Sequence, residues 1–232
     1  MKTSGHTMTT TSPAALDTAQ LSYLVAEDLK IAASLLYQAY FDDPLFMELF
    51  QADKADYEKR LRAAIREELA AFWEAAQPMV GVFDGESLVG VACLTRPGKS
   101  FGPGRYWHWR LKMLLTAGYV STRQLLEKEA LIQAAMPEND YHMLAFIAVH
   151  PRYQQQGWGD VLVRAARQLL EEDKTSAGIA VYITQSHYLP LFEQHGYRKV
   201  TSVRVGSIVG ELLFAERESA ATAANEENTH GI

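Results

Sequence analysis

The chain is 232 residues long, 48% hydrophobic and 22% charged, an ordinary composition for one folded domain. No run approaches the roughly 18 apolar residues of a membrane-spanning helix, and the lone Cys93 excludes an intrachain disulfide and a Cys-rich zinc site. Half of the net charge of −6 sits in residues 216–232 and no Lys/Arg cluster dominates the remainder, so nucleic acid and membrane are not expected as partners.

Residues 1–19 are rich in Thr, Ser and Ala, with no periodicity and no apolar core of a secretory signal. They are expected to form a disordered tail, as is the acidic segment 216–232, leaving a single domain over 20–215 and a cytoplasmic setting as the default. An apolar stretch over 21–26 reads as a strand. Helical spacing follows over 27–40, with Leu29, Ala32, Ala33, Leu36 and Ala39 on one face. Asp42-Asp43-Pro44 ends it, because the residue before proline is pushed out of the helical region. A short helix over 45–50 comes next, then a longer one over 55–76 with Tyr57, Leu61, Ile65, Leu69 and Phe72 in one stripe.

Strands over 77–84 and 88–94 flank Asp84-Gly85-Glu86-Ser87, a strong hairpin signal. After a loop over 96–104 rich in Pro and Gly, helices are predicted over 106–115 and 122–135. The last third reads as strand 143–149, polar turn 153–159, helix 159–172, strand 179–184 and a short helix ending near His195-Gly196. Two strands, 197–205 and 207–214, close the pattern about Gly206. Such a succession is mixed α/β, with both hairpin and crossover connections in its sheet.

One segment carries chemistry. Ala148-Val149-His150-Pro151-Arg152-Tyr153 leaves a strand, and Gln154-Gln155-Gln156-Gly157-Trp158-Gly159-Asp160 turns into a helix. The first turn of a helix has free backbone N–H groups and the positive end of its dipole, so it attracts anions without cationic side chains. Gly157 and Gly159 allow the main chain to approach a ligand closely; they equally suit a tight connection that needs close packing. A nucleotide-triphosphate loop would need Lys and then Ser or Thr where Asp160-Val161 stand. A dinucleotide fingerprint would need a third glycine. Both are excluded.

The pattern from Val149-His150-Pro151 through Gln156-Gly157-Trp158-Gly159 resembles the core motif of the GNAT superfamily of N-acetyltransferases. Leu189-Pro190-Leu191-Phe192-Glu193-Gln194-His195-Gly196-Tyr197 is similar to that family's downstream ending, with the Leu-Pro of its puromycin-acetyltransferase-like members. The resemblance spans about residues 21–214, with its specific motifs inside 143–197. It implies a GNAT-like fold, a mixed and mostly antiparallel central sheet flanked by helices, and acetyl-CoA as acyl donor with no metal. It further implies that Ile147, Ala148 and Val149 run beside the pantetheine arm. The pyrophosphate would then sit on the amides of Gln155, Gln156, Gly157, Trp158, Gly159 and Asp160, with Gln154 counted among the cofactor-binding residues. The Arg or Lys usual in this loop is absent, and three glutamines stand there.

Transfer to an amine requires a neutral nucleophile, a stabilised oxyanion and a proton for the departing thiolate. The tyrosine that commonly protonates the thiolate in this family is matched by Phe192, which has no proton to give and is left as a cofactor contact. Tyr188, one helical turn earlier, is the candidate acid. Gln185 stands where relatives often carry an asparagine that contacts the coenzyme. His142, just before the fourth strand, titrates in the right range for a base, and deprotonation through water with no strong base is also consistent with the sequence. The expected acceptor is a primary amine on a small, partly apolar molecule, acylated by direct transfer in a ternary complex. A coenzyme-A-binding sensor without turnover is the alternative, and a homodimer is left open.

Overall fold

The computed structural model describes residues 19–97 and 119–217. The helix expected over 106–115, most of the loop over 96–104 and nearly all of both expected tails lie outside them. Seven strands form one sheet: β1 (Ala19–Tyr23), β2 (Met79–Asp84), β3 (Ser87–Thr95), β4 (His142–Val149), β5 (Gly178–Ile183), β6 (Arg198–Val205) and β7 (Ile208–Glu216). Their order is β1-β2-β3-β4-β5-β7-β6, and every neighbouring pair is antiparallel except β4 with β5.

Helices α1 (Leu29–Tyr40), α2 (Pro44–Leu49), α3 (Tyr57–Glu74) and α4 (Tyr119–Ala135) belong to one face of this sheet. There Leu36, Leu49, Leu61 and Phe72 pack over Val91, Phe146 and Phe214. Helices α5 (Trp158–Glu172) and α6 (Leu189–Glu193) cover the other face, where Leu162, Ala166 and Leu170 meet Val82, Leu144 and Val181. The apolar stripes of α1, α3 and α5 are what such burial requires.

The hairpin between β2 and β3 turns where expected, with Gly85 at φ +58°. Two boundaries move outwards. Ala19 already pairs with Asp84 in β1, and Glu216 still pairs with Gly178 in β7. Beyond it Arg217 donates to the carbonyls of Leu170, Asp173 and Ser176 around the end of α5. A cation at a helix C-terminus satisfies carbonyls that have no intrahelical donor, which explains why the acidic composition there does not release the chain at 216.

The feature that positions a site is a fault in the sheet. Strand β4 pairs with β5 only through His142, Met143 and Leu144. On its other side Cys93 faces Phe146 and Leu94 faces Leu144, so Ala145 has no partner in β3. A bulge of this kind bends its strand and sharpens the twist. From Ala145 onward β4 no longer pairs with β5, so among the described residues that edge of it carries no strand partner and is open.

Candidate active site

The turn after β4 is built by local bonds. Tyr153 N–H donates to the His150 carbonyl, and Arg152 N–H to His150 Nδ1 at 3.2 Å. Gln155 at φ +58° and Gly157 at φ +87° are both left-handed, and Gly157 is the N-cap of α5. Alternating hands along a turn gather successive N–H groups on one concave side, a geometry that binds anions. Gly157 takes this conformation without the roughly 1–2 kcal/mol that a side chain would cost. Gly159 has a different reason: a Cβ there would stand 3.3 Å from Leu191 Cδ2 of α6, tighter than ordinary packing.

The side chains of this turn do separate jobs. Trp158 is buried at 1% exposure, edge-on to Tyr153, so only its backbone belongs to the concave surface. Asp160 would add negative charge beside an anion, but its carboxylate is engaged by His195 at 2.6 Å and Arg164 at 3.0 Å. An acid in the first turn is also stabilised by the helix dipole.

The open edge of β4 is held by side chains. Gln154 donates from Nε2 to the Val149 carbonyl at 3.1 Å. The Tyr40 hydroxyl, from the last residue of α1, accepts from Ile147 N–H at 3.1 Å and donates to the Ile147 carbonyl at 3.0 Å. Burial pushes this phenol far above its ordinary value, although the Ile147 bond opposes the shift.

A cavity of about 340 Å³ opens beside that edge, under α2, α3 and α4. Tyr40, Phe46, Phe50, Phe72, Phe146 and Tyr182 give it aromatic walls, and Asp43, Glu68 and Glu129 bring three carboxylates against Arg96 and Lys128. Desolvation pushes the Glu129 carboxyl up, against the lowering effect of Lys128. Asp43 is 5% exposed and fully bonded: Oδ1 caps α2 through Leu45 and Phe46 N–H, and Oδ2 accepts from Thr184 Oγ1 at 2.9 Å and Gln185 Nε2 at 3.1 Å. It locks the first turn of α2 to the end of β5. Tyr182 spends its hydroxyl on the Val203 carbonyl, so it contributes only its ring to the cavity.

The other residues singled out from sequence fall in several places. Ile147, Val149 and Gln154 to Asp160 form one continuous path from the open edge to the start of α5. Gln185 reaches the site as a partner of Asp43. Tyr188 is exposed at 42%, its ring tilted 44° against that of His187 with centroids 4.0 Å apart, and its phenol is raised by desolvation and by Asp42 and Asp43. Phe192 is not at the surface of the site: at 2% exposure it packs edge-on against Tyr197 in the core under α5. His142 does not reach the cavity. It alternates with Met143, which lines that cavity, so its ring lies on the opposite face, 2.8 Å from Ser176 Oγ and 3.6 Å from Asp173.

Sequence reasoning passed over Tyr40 and Asp43. Asp43-Pro44 carried a usable signal, since Asp before Pro is a helix N-cap followed by N1 proline. Nothing local announced that the same carboxylate would meet Thr184, 141 positions away, or that Tyr40 would meet Ile147, 107 positions away.

Residues 118–199, from the start of α4 to the start of β6, match the sequence model of the acetyltransferase (GNAT) domain. No curated protein sequence matches the chain. Among solved structures, a histone acetyltransferase HPA2 and related acetyltransferase from Corynebacterium glutamicum is similar with a TM-score of 0.67 and 15% identity, over 88% of this chain and 99% of that one. The PaiA N-acetyltransferase of Thermoplasma acidophilum, solved in complex with coenzyme A, aligns at TM-score 0.53 and 12% identity, over 86% of this chain and 99% of that one. A mosquito arylalkylamine N-acetyltransferase like 5b aligns at TM-score 0.53 and 15% identity, over 84% and 98%. The fold is therefore the one these acetyltransferases share, and its segment 118–199 matches the acetyltransferase (GNAT) domain. Enzymes of this class take their acetyl group from acetyl-CoA.

Proposed function

We propose that this protein transfers the acetyl group of acetyl-CoA directly to the primary amine of a small molecule with an apolar or aromatic body. The observation that carries this reading is the meeting of the open edge of β4 with an aromatic, carboxylate-bearing cavity of about 340 Å³. That volume lies within the ordinary range of small-molecule pockets. Acetyl-CoA supplies an activated thioester; the chain supplies its placement. The N–H groups of Gln155 to Asp160 hold the diphosphate, and Ile147 to Val149 pair with the extended arm. Glu68 and Glu129 draw an ammonium group into the cavity, and Glu129, with its raised affinity for protons, accepts the proton that the amine loses. Tyr188 gives a proton to the departing sulfur. The Leu189-Pro190 pair that opens α6 supports a place near the puromycin-acetyltransferase-like members.

The sealed position of Phe192 favours a second reading, a coenzyme-A-binding sensor without turnover, because no phenol stands at the family's usual acid position. Thiol release measured with acetyl-CoA and a panel of arylalkylamines, polyamines and amino sugars separates the two. Amine-dependent release, greatest for arylalkylamines, is the expected result. Tight coenzyme binding with no release on any acceptor would establish the sensor.

A further inference from the structure

The Tyr40 hydroxyl bridges both edge groups of a single residue, taking the Ile147 N–H and giving its own proton to the Ile147 carbonyl. Phe46, 4.7 Å away, and Phe146, 5.8 Å away, hold the ring, and one side of it lines the cavity. The hydroxyl thus stands where the acceptor cavity meets the proposed path of the coenzyme arm. A strand edge needs some partner for buried backbone groups, and a phenol can serve there. The position of this one gives it a second use.

An arm that pairs with β4 must bond the groups that Tyr40 now occupies. A carbonyl oxygen accepting from Ile147 N–H lands where the phenol oxygen is. The phenol then withdraws by about one hydrogen-bond length, roughly 2.7 Å. Its proton, no longer given to the Ile147 carbonyl, points at the newcomer. Resting on the acetyltransferase reading, in which Ile147 N–H receives the thioester carbonyl of the acetyl donor, we propose that Tyr40 O–H is a second donor to that oxygen. Tyr40 exchanges the Ile147 carbonyl for that oxygen when the donor binds. Two aimed donors stabilise the negative charge that develops on the oxygen as the amine attacks. Burial keeps the phenol protonated throughout the working range, as a lasting donor must be. Tyr40 is therefore a catalytic residue that shifts no proton, distinct from the donor to sulfur.

The test is Tyr40→Phe, with dissociation constants for coenzyme A and acetyl-CoA by calorimetry and turnover with the best amine. Coenzyme A should bind as in the unaltered protein or more tightly, since a competitor for the edge is gone. The preference for acetyl-CoA over coenzyme A should fall about threefold to tenfold, the worth of one neutral hydrogen bond. Turnover should fall about 10²–10³-fold. A second measurement needs no variant: in the unaltered, ¹⁵N-labelled protein the Ile147 amide resonance should move further with acetyl-CoA than with coenzyme A. Unchanged preference and turnover in the variant, or an Ile147 amide that both compounds move equally, overturns the two-donor site. If neither compound binds the unaltered protein, the acetyltransferase reading itself fails.

Discussion

The two ends of β4 show what separates a structural polar group from a functional one. At the first end His142 pairs with Ile179 of β5, is 1% exposed, and is bonded to Ser176, whose own hydroxyl is given to the Gly178 carbonyl. That chain of bonds places the proton on Nδ1, and Nε2 lies 3.6 Å from the Asp173 carboxylate. At the other end the strand has lost its neighbour. On the edge away from β3, among the described residues, Ile147 and Val149 are bonded by the side chains of Tyr40 and Gln154, which a ligand can displace. A bulge at Ala145 separates the two behaviours within one strand. Histidine is the more reactive residue type, yet position in the sheet decides which end can do chemistry.

Three substitutions sharpen this contrast. Tyr188→Phe, on the side of the open end, should lower turnover about 100-fold with coenzyme affinity within about twofold; equal turnover removes Tyr188 as donor to sulfur. Gly157→Val should weaken coenzyme A binding about 100-fold, the loss of two charge-assisted hydrogen bonds at roughly 1.5 kcal/mol each. Its melting should still be cooperative, shifted by the roughly 1–2 kcal/mol of a side chain in a left-handed residue. Retained affinity, measured by calorimetry, would contradict the seat of the diphosphate.

The smallest effect lies at the closed end. Desolvation holds the His142 imidazole below its ordinary 6.5, with Asp173 opposing and Arg96 and Arg217 assisting. The unfolded chain therefore binds this proton first. Its contribution to stability is complete above about pH 6.5 and is lost as pH falls through the lower folded value, at no more than about 1.4 kcal/mol per unit. Urea unfolding followed from pH 7.5 to 5 should show this loss and should lack it in His142→Asn. Turnover above pH 7 should be nearly the same in both proteins, and a collapse of turnover in the variant would return His142 to the site.

The sequence made the strand-turn-helix segment plain, because it is local: a strand, a polar turn, Gly157 and an amphipathic helix read in order along 143–172. The hairpin at Gly85 and the stripes of α1 and α3 were legible for the same reason, since each is a repeat over a few residues. The tail boundaries slipped because composition does not reveal that Arg217 meets the carbonyls of α5. The bulge at Ala145 left no trace in a strand that reads as uniformly apolar. Without it the alternation of β4 cannot be followed across the sheet, so the face on which His142 lies was hidden. Tyr40 and Asp43 join the site through contacts that only the assembled fold creates.

The central claim is that bare peptide N–H groups at the start of α5, continuous with the open edge of β4, seat the acyl donor. A crystal structure of the protein with coenzyme A tests it most directly. The account predicts the diphosphate within hydrogen-bond distance of the amides of Gln155 to Asp160, with the arm along Val149 and Ile147 and the Gln154 side chain turned away. A diphosphate held by arginine or lysine side chains elsewhere, with that turn bare, would contradict it.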